Sequence, residues 1–167
     1  MTDVQTKQAD SVNDDTKQLA IVSKIPRPIS NGATSWTPSL IIGSTVETGI
    51  YTRQAGAYIT INYITFASFS IITNTLSSDT GNVGITLPVQ ASTSANVNQP
   101  TIPLGTTTGL SLNSGYTKVS LVIDAGTSTA NIMQSARNNG SLTNVINSNL
   151  GSSTVLLGSL IYYTGIY

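Results

Sequence analysis

The chain has 167 residues, seven Lys and Arg against seven Asp and Glu, and neither cysteine nor histidine. That length makes one domain with room for a real core, and the missing residue types exclude disulfides, thiolate nucleophiles, zinc–thiolate sites and the commonest metal ligand and general base. A net charge of zero argues against a nucleic-acid partner, because binding nucleic acid rests on a surplus of Lys and Arg over phosphate.

Charge is unevenly spread. Residues 1–30 hold eight of the fourteen charged side chains; the rest of the chain has Glu47, Arg53, Asp79, Lys118, Asp124 and Arg137. Ser, Thr and Asn together exceed a third of the residues, so neutral hydroxyls and amides are expected to keep the body soluble. Interleaved Ile, Val, Leu, Tyr and Phe supply too much apolar surface for disorder. No apolar run exceeds four residues, far short of the ~20 of a membrane helix or of a signal-peptide core, and no membrane partner is expected.

Residues 1–30 read as an N-terminal arm. Asn13-Asp14-Asp15-Thr16-Lys17 has turn chemistry, and Leu19, Ile21, Ser23 and Ile25 alternate with Ala20, Val22 and Lys24, giving an extended segment with one apolar edge. Pro26 and Pro28, around Arg27, forbid a continuing helix or central strand. Either this is a tail or a strand of its own domain, or it is a docking arm whose contact residues are Leu19, Ile21, Ile25, Pro26, Arg27 and Pro28.

The body, residues 31–167, places turn signals every 8 to 12 residues, the spacing of an antiparallel sandwich of short strands. Ser35 to Ile42 reads as a first strand and Ile50 to Gln54 as a second, broken by Gly56 from a long segment, Tyr58 to Ile72. In that segment Ile59, Ile61 and Tyr63 alternate in one phase and Ile64, Phe66 and Ser68 in the other, which predicts a bulge or a bend between sheets. Val83, Ile85 and Leu87 make a strand stopped by Pro88; residues 88–115 read as a functional loop or two short edge strands. Val119, Leu121 and Ile123 alternate cleanly, and Asn139-Gly140 signals a hairpin. Leu142, Val145, Ile146 and Leu150 have helical spacing, but their β neighbours favour a strand or irregular reading. Leu156 to Tyr167 closes a sheet.

Little here resembles catalytic chemistry. Glu47, Asp79 and Asp124 lack the spacing of a glycosidase pair, serine has no histidine or Ser-x-x-Lys partner, and the glycines form no phosphate loop. Asn139-Gly140-Ser141 fits a glycosylation acceptor but is better read as a turn. No enzyme, cofactor or metal is expected. Seven tyrosines invite a sugar-stacking reading, yet in a β-sandwich they more often pack with their hydroxyls at the rim. Trp36, Tyr51, Tyr58, Phe66 and Phe69 are assigned to the core or a subunit interface.

Several segments together resemble the jelly-roll modules of tailed bacteriophages: Trp36-Thr37-Pro38 with Leu40, Tyr51-Thr52-Arg53-Gln54-Ala55-Gly56-Ala57-Tyr58, the apolar strand through Phe66, Gly84-Ile85-Thr86-Leu87-Pro88, Ile146-Asn147-Ser148-Asn149-Leu150 and Ile161-Tyr162-Tyr163-Thr164. The chain departs from them at Ile59-Thr60, where these modules commonly carry a longer turn and a basic residue. The resemblance implies an all-β, jelly-roll-like sandwich, a homotrimer and a place on the virion surface, as in head fibres, capsid decoration proteins and tail fibres. A short arm without heptads or repeats suits a knob seated on a shell. The expected function is therefore a capsid decoration (cement) protein or short head fibre, docked on the major capsid protein through its arm. The alternative is the receptor-binding tip of a tail fibre, with a host-surface glycan or protein as partner; a depolymerase comes third.

Overall fold

The computed structural model describes residues 32–75, 77–94, 101–136 and 142–165. The proposed arm contacts Leu19, Ile21, Ile25, Pro26, Arg27 and Pro28, and the Asn139-Gly140 turn, lie outside the described residues.

Twelve strands are found among the described residues, in chain order β1 (Thr34–Trp36), β2 (Leu40–Ile42), β3 (Thr45–Val46), β4 (Tyr51–Ile61), β5 (Ile64–Thr73), β6 (Val83–Thr86), β7 (Thr101–Pro103), β8 (Thr106–Leu110), β9 (Tyr116–Ile123), β10 (Thr129–Ala136), β11 (Leu142–Asn144) and β12 (Leu150–Tyr163), with one 3-10 turn at Asn147–Asn149. Sheet A has the order β1-β4-β5-β12-β8, and sheet B the order β3-β2-β6-β10-β9-β7 with β11 beside β10. All pairings are antiparallel. The fold is all-β, with one core shared by the two sheets: Ala67, Phe69, Ile71, Leu156, Leu160 and Tyr162 from sheet A meet Leu40, Ile42, Val83, Ile85, Leu121, Ile123 and Ile132 from sheet B. Strict alternation buries these positions and leaves the intervening ones on the outer faces.

The reading of one long strand from Tyr58 to Ile72 is corrected. β4 and β5 form a hairpin closed by Asn62 and Tyr63, both left-handed at φ 46° and 65°, and Ile61 pairs with Ile64. This is the primed two-residue turn that matches strand twist. Ile59, Ile61, Ile64 and Phe66 therefore share one face, although their sequence parity differs. Asn-Tyr lacks the Asn-Gly signature, and a bulky residue at positive φ is sterically disfavoured, which is why the turn was hidden.

Gly56 does not break a strand either; β4 runs through it. It lies in a cross-strand row of Trp36, Gly56, Phe69 and Gly158, in which large rings alternate with absent side chains. A Cβ on Gly56 would overlap the Trp36 indole, and one on Gly158 would sit 2.9 Å from two ring carbons of Phe69. Ser35 to Ile42 is likewise two strands, parted at Thr37-Pro38-Ser39, with β1 in sheet A and β2 in sheet B.

Of the two readings of residues 88–115, a functional loop or two short edge strands, the second matches β7 and β8, each ending its sheet. The segment of helical spacing is β11 followed by the 3-10 turn. Buried amides hold this end: Gln134 accepts from Asn113 N (2.9 Å) and donates to Asn144 O (3.3 Å), while Asn149 donates to Ser111 O (2.7 Å). Two tyrosine hydroxyls tie loops to the sheets. Tyr162 donates to Val89 O at 2.8 Å, and burial pushes its pKa up to about 12. Tyr51 accepts from Leu40 N at 2.7 Å and donates to Glu47 O at 3.3 Å; burial raises its pKa, and the Glu47 charge adds to the rise.

Candidate functional site

The outer face of sheet A collects large apolar side chains at the hairpin end. The register aligns Ile61, Ile64 and Tyr163 in one row and Ile59, Phe66 and Ile161 in the next. Ile61, Phe66 and Ile161 are 48%, 41% and 50% exposed, and Tyr63 at the turn is 58% exposed. Single exposed apolar residues are ordinary, but two adjoining rows of them form a patch of the kind that marks an interaction site.

The row beyond is small: Ser35, Ala57, Ser68 and Ser159. Its short side chains leave a hollow of ≈ 320 Å³, walled by Phe66 and Ile161 and reached by Ala33. A ridge of Ile59, Phe66 and Ile161 thus stands beside a depression on the same face. None of these rows contains a charged residue; Arg53 lies further along β4, opposite Ile72.

The five body residues assigned to core or interface separate. Phe69 is core at 5% exposure. Trp36, Tyr51 and Tyr58 are half-buried against the core, and Trp36 Nε1 donates to Ser68 O at 3.2 Å. Phe66 is not a core residue but the centre of the outer patch. Ile59, Ile61, Ile64, Ile161 and Tyr163 were missed as members of that patch. Recognising Asn62-Tyr63 as a two-residue turn would have placed the first three beside Phe66; the last two need the β5–β12 register.

The carboxylates do not converge on one centre. Glu47 Oε1 accepts from Ser77 Oγ at 2.8 Å, Ser77 Oγ accepts from Asp79 N at 3.0 Å, and Asp124 Oδ2 accepts from Asn131 Nδ2 at 3.0 Å on another loop. Among the described residues no three His, Cys, Asp or Glu side chains are grouped to hold a metal ion. Tyr116 pairs its hydroxyl with Thr143 Oγ1 at 3.0 Å.

No protein-family model matches the chain, and no curated protein matches it in sequence. Among solved structures it is similar to the crystal structure of the Dettilon tailspike protein (gp208), with a TM-score of 0.60 and 20% sequence identity, over 80% of this chain and 23% of that one. The chain therefore spans about a quarter of that tailspike's length. What the two share is a fold: an antiparallel β structure that also occurs as one segment of a tailspike.

Proposed function

We propose that this chain is a non-enzymatic module of a bacteriophage tail appendage, exposed on the virion and assembled as a homotrimer through the outer face of sheet A, with receptor binding as its role. The uncharged ridge and hollow of that face carry the assembly. Burying the exposed half of Ile61, Phe66 or Ile161 contributes about 1 kcal/mol each, and no charge has to be desolvated in exchange. A ridge beside a hollow lets each copy seat its ridge in the next copy's hollow, a contact that closes as a ring. Three is the number the resemblance to phage modules implies, and a jelly-roll connectivity is its finer implication.

The fold likeness to a tailspike segment supports the tail appendage over the capsid-decoration reading. Docking on a major capsid protein leaned on Leu19, Ile21 and Ile25, outside the described residues. Gold-labelled antibody against the chain, applied to intact particles, is expected to mark the tail end. Labelling spread over the shell would overturn the appendage reading and restore the capsid one.

A further inference from the structure

The outer face of sheet B carries a second hollow, of ≈ 350 Å³, whose chemistry is the reverse of the first. Its floor is Gly84, which pairs with Ile41 on one side and Asn131 on the other. Glycine inside a strand often marks a place where another group comes close. Here the close group is Thr129, its Cγ2 lying 2.6 Å from where a Gly84 Cβ would stand, with Ala130 O at 3.1 Å. Ile41 and Val46, directly opposed across β2 and β3, make an aliphatic wall, with Val46 50% exposed.

The polar groups around this floor are held in place. Asn131 Nδ2 donates to Asp124 Oδ2 at 3.0 Å, which fixes the amide and puts its Oδ1 over the floor, 3.7 Å from the Gly84 Cβ position. Thr127 Oγ1 lies 2.8 Å from Asp124 O and 3.0 Å from Thr129 O, so its single proton is held between these two carbonyls and its lone pairs are left to accept. Asn82 adds an exposed amide with both donor and acceptor capacity. No Lys or Arg lines the hollow.

We propose that this hollow binds a neutral sugar ring. Hydroxyls that both donate and accept match two oriented acceptors and one amide, while the C–H face of a pyranose covers Ile41 and Val46. An anionic sugar finds no cation to pair with. The volume lies within the usual range of ligand sites. This deepens the receptor-binding reading by naming a ligand class, but it uses the opposite face from the trimer contact, so the two fail separately.

The test uses the full-length chain labelled with ¹⁵N and titrated with the methyl α-glycosides of glucose, galactose, mannose and rhamnose, with N-acetylneuraminic acid as the charged comparator. At least one neutral glycoside should shift the amides of Gly84, Thr129 and Asn131, with a Kd on the order of 1 mM, as expected of a small ligand in an open site. Asn131→Ala should weaken that glycoside at least tenfold and Asn82→Ala at least threefold. Both variants should keep the wild-type sedimentation and a single cooperative melting transition, Asn131→Ala melting slightly lower because it loses the bond to Asp124. No response to any of the four, tighter binding of the charged sugar, or binding unchanged in both variants would overturn the site. A silent protein that is still trimeric would leave the assembly reading standing.

Discussion

The two outer faces of this sandwich are built from the same alternation and end in opposite chemistry. Sheet A turns Ile59, Ile61, Ile64, Phe66 and Ile161 outward with no charge among them, whereas sheet B turns out Thr86, Thr129, Asn131, Ser120 and Lys118 interspersed with Ile41, Val122 and Met133. The inner faces are alike, both supplying Ile, Leu and Val to one core. Outward positions on a strand are free of the packing demands that fix the core, so their chemistry can differ between the two faces. The assembly proposed above uses the apolar face of sheet A, and the ligand site proposed above uses sheet B.

The sharpest way to break this comparison is on β5, where Phe69 and Phe66 stand three residues apart on opposite faces. Phe69→Ala opens a cavity between the sheets and should cost about 3–5 kcal/mol of stability, read as a lower urea midpoint. Phe66→Ala should leave unfolding of the separated subunits within about 0.5 kcal/mol of wild type while weakening assembly. Equal destabilisation by the two would mean that Phe66 has no interface role.

A charge placed on each outer face separates them next. Ile161→Lys buries an unpaired ammonium if the face is covered, costing several kcal/mol of association, and should give monomers by light scattering. Ser120→Lys on sheet B should leave the mass unchanged.

Alkaline pH probes the interior both faces share. Tyr162 titrates near 12 when folded against about 10 when unfolded, and Tyr51 is raised in the same direction. Between those values the folded state holds the proton that the unfolded state has lost, so this contribution is whole below pH 10 and disappears as pH rises through 12. Thermal melting should fall across that window, and Tyr162→Phe should flatten part of the fall. An identical slope in the variant would show that Tyr162 is not the source.

The smallest expected effect is that of salt. With no charges in the sheet A rows, raising sodium chloride from 0.05 to 1 M should change the association constant less than twofold, because there is little to screen. A steep loss would place ion pairs in the contact.

Much of the strand content is legible locally. Val83 and Ile85 and then Val119, Leu121 and Ile123 show period-two alternation, and each became a strand facing the core. Pro103 ends β7 at a sheet edge, where a proline is tolerated. The candidate faces were much less legible, for reasons of register. A two-residue turn at Asn62-Tyr63 puts Ile61 opposite Ile64, an odd offset that looks like a change of phase in a single strand. Ile161 joins Phe66 only through pairing across about a hundred residues, which alternation within one segment cannot report. The sheet B hollow depends on Ile41, Gly84 and Asn131 from three separate strands, and no local pattern joins them. Gly56, which read as a breaker, is a strand residue because the Trp36 ring occupies the space of its side chain.

The central claim is that the outer face of sheet A joins copies of this chain. Sedimentation equilibrium of the full-length protein, beside the double variant Phe66→Ser with Ile161→Ser, tests it most directly. Wild type should run at three times the 17.4 kDa chain mass, and the double variant at one, with a wild-type β-sheet circular dichroism spectrum. A monomeric wild type, or a double variant that stays trimeric, would contradict the claim.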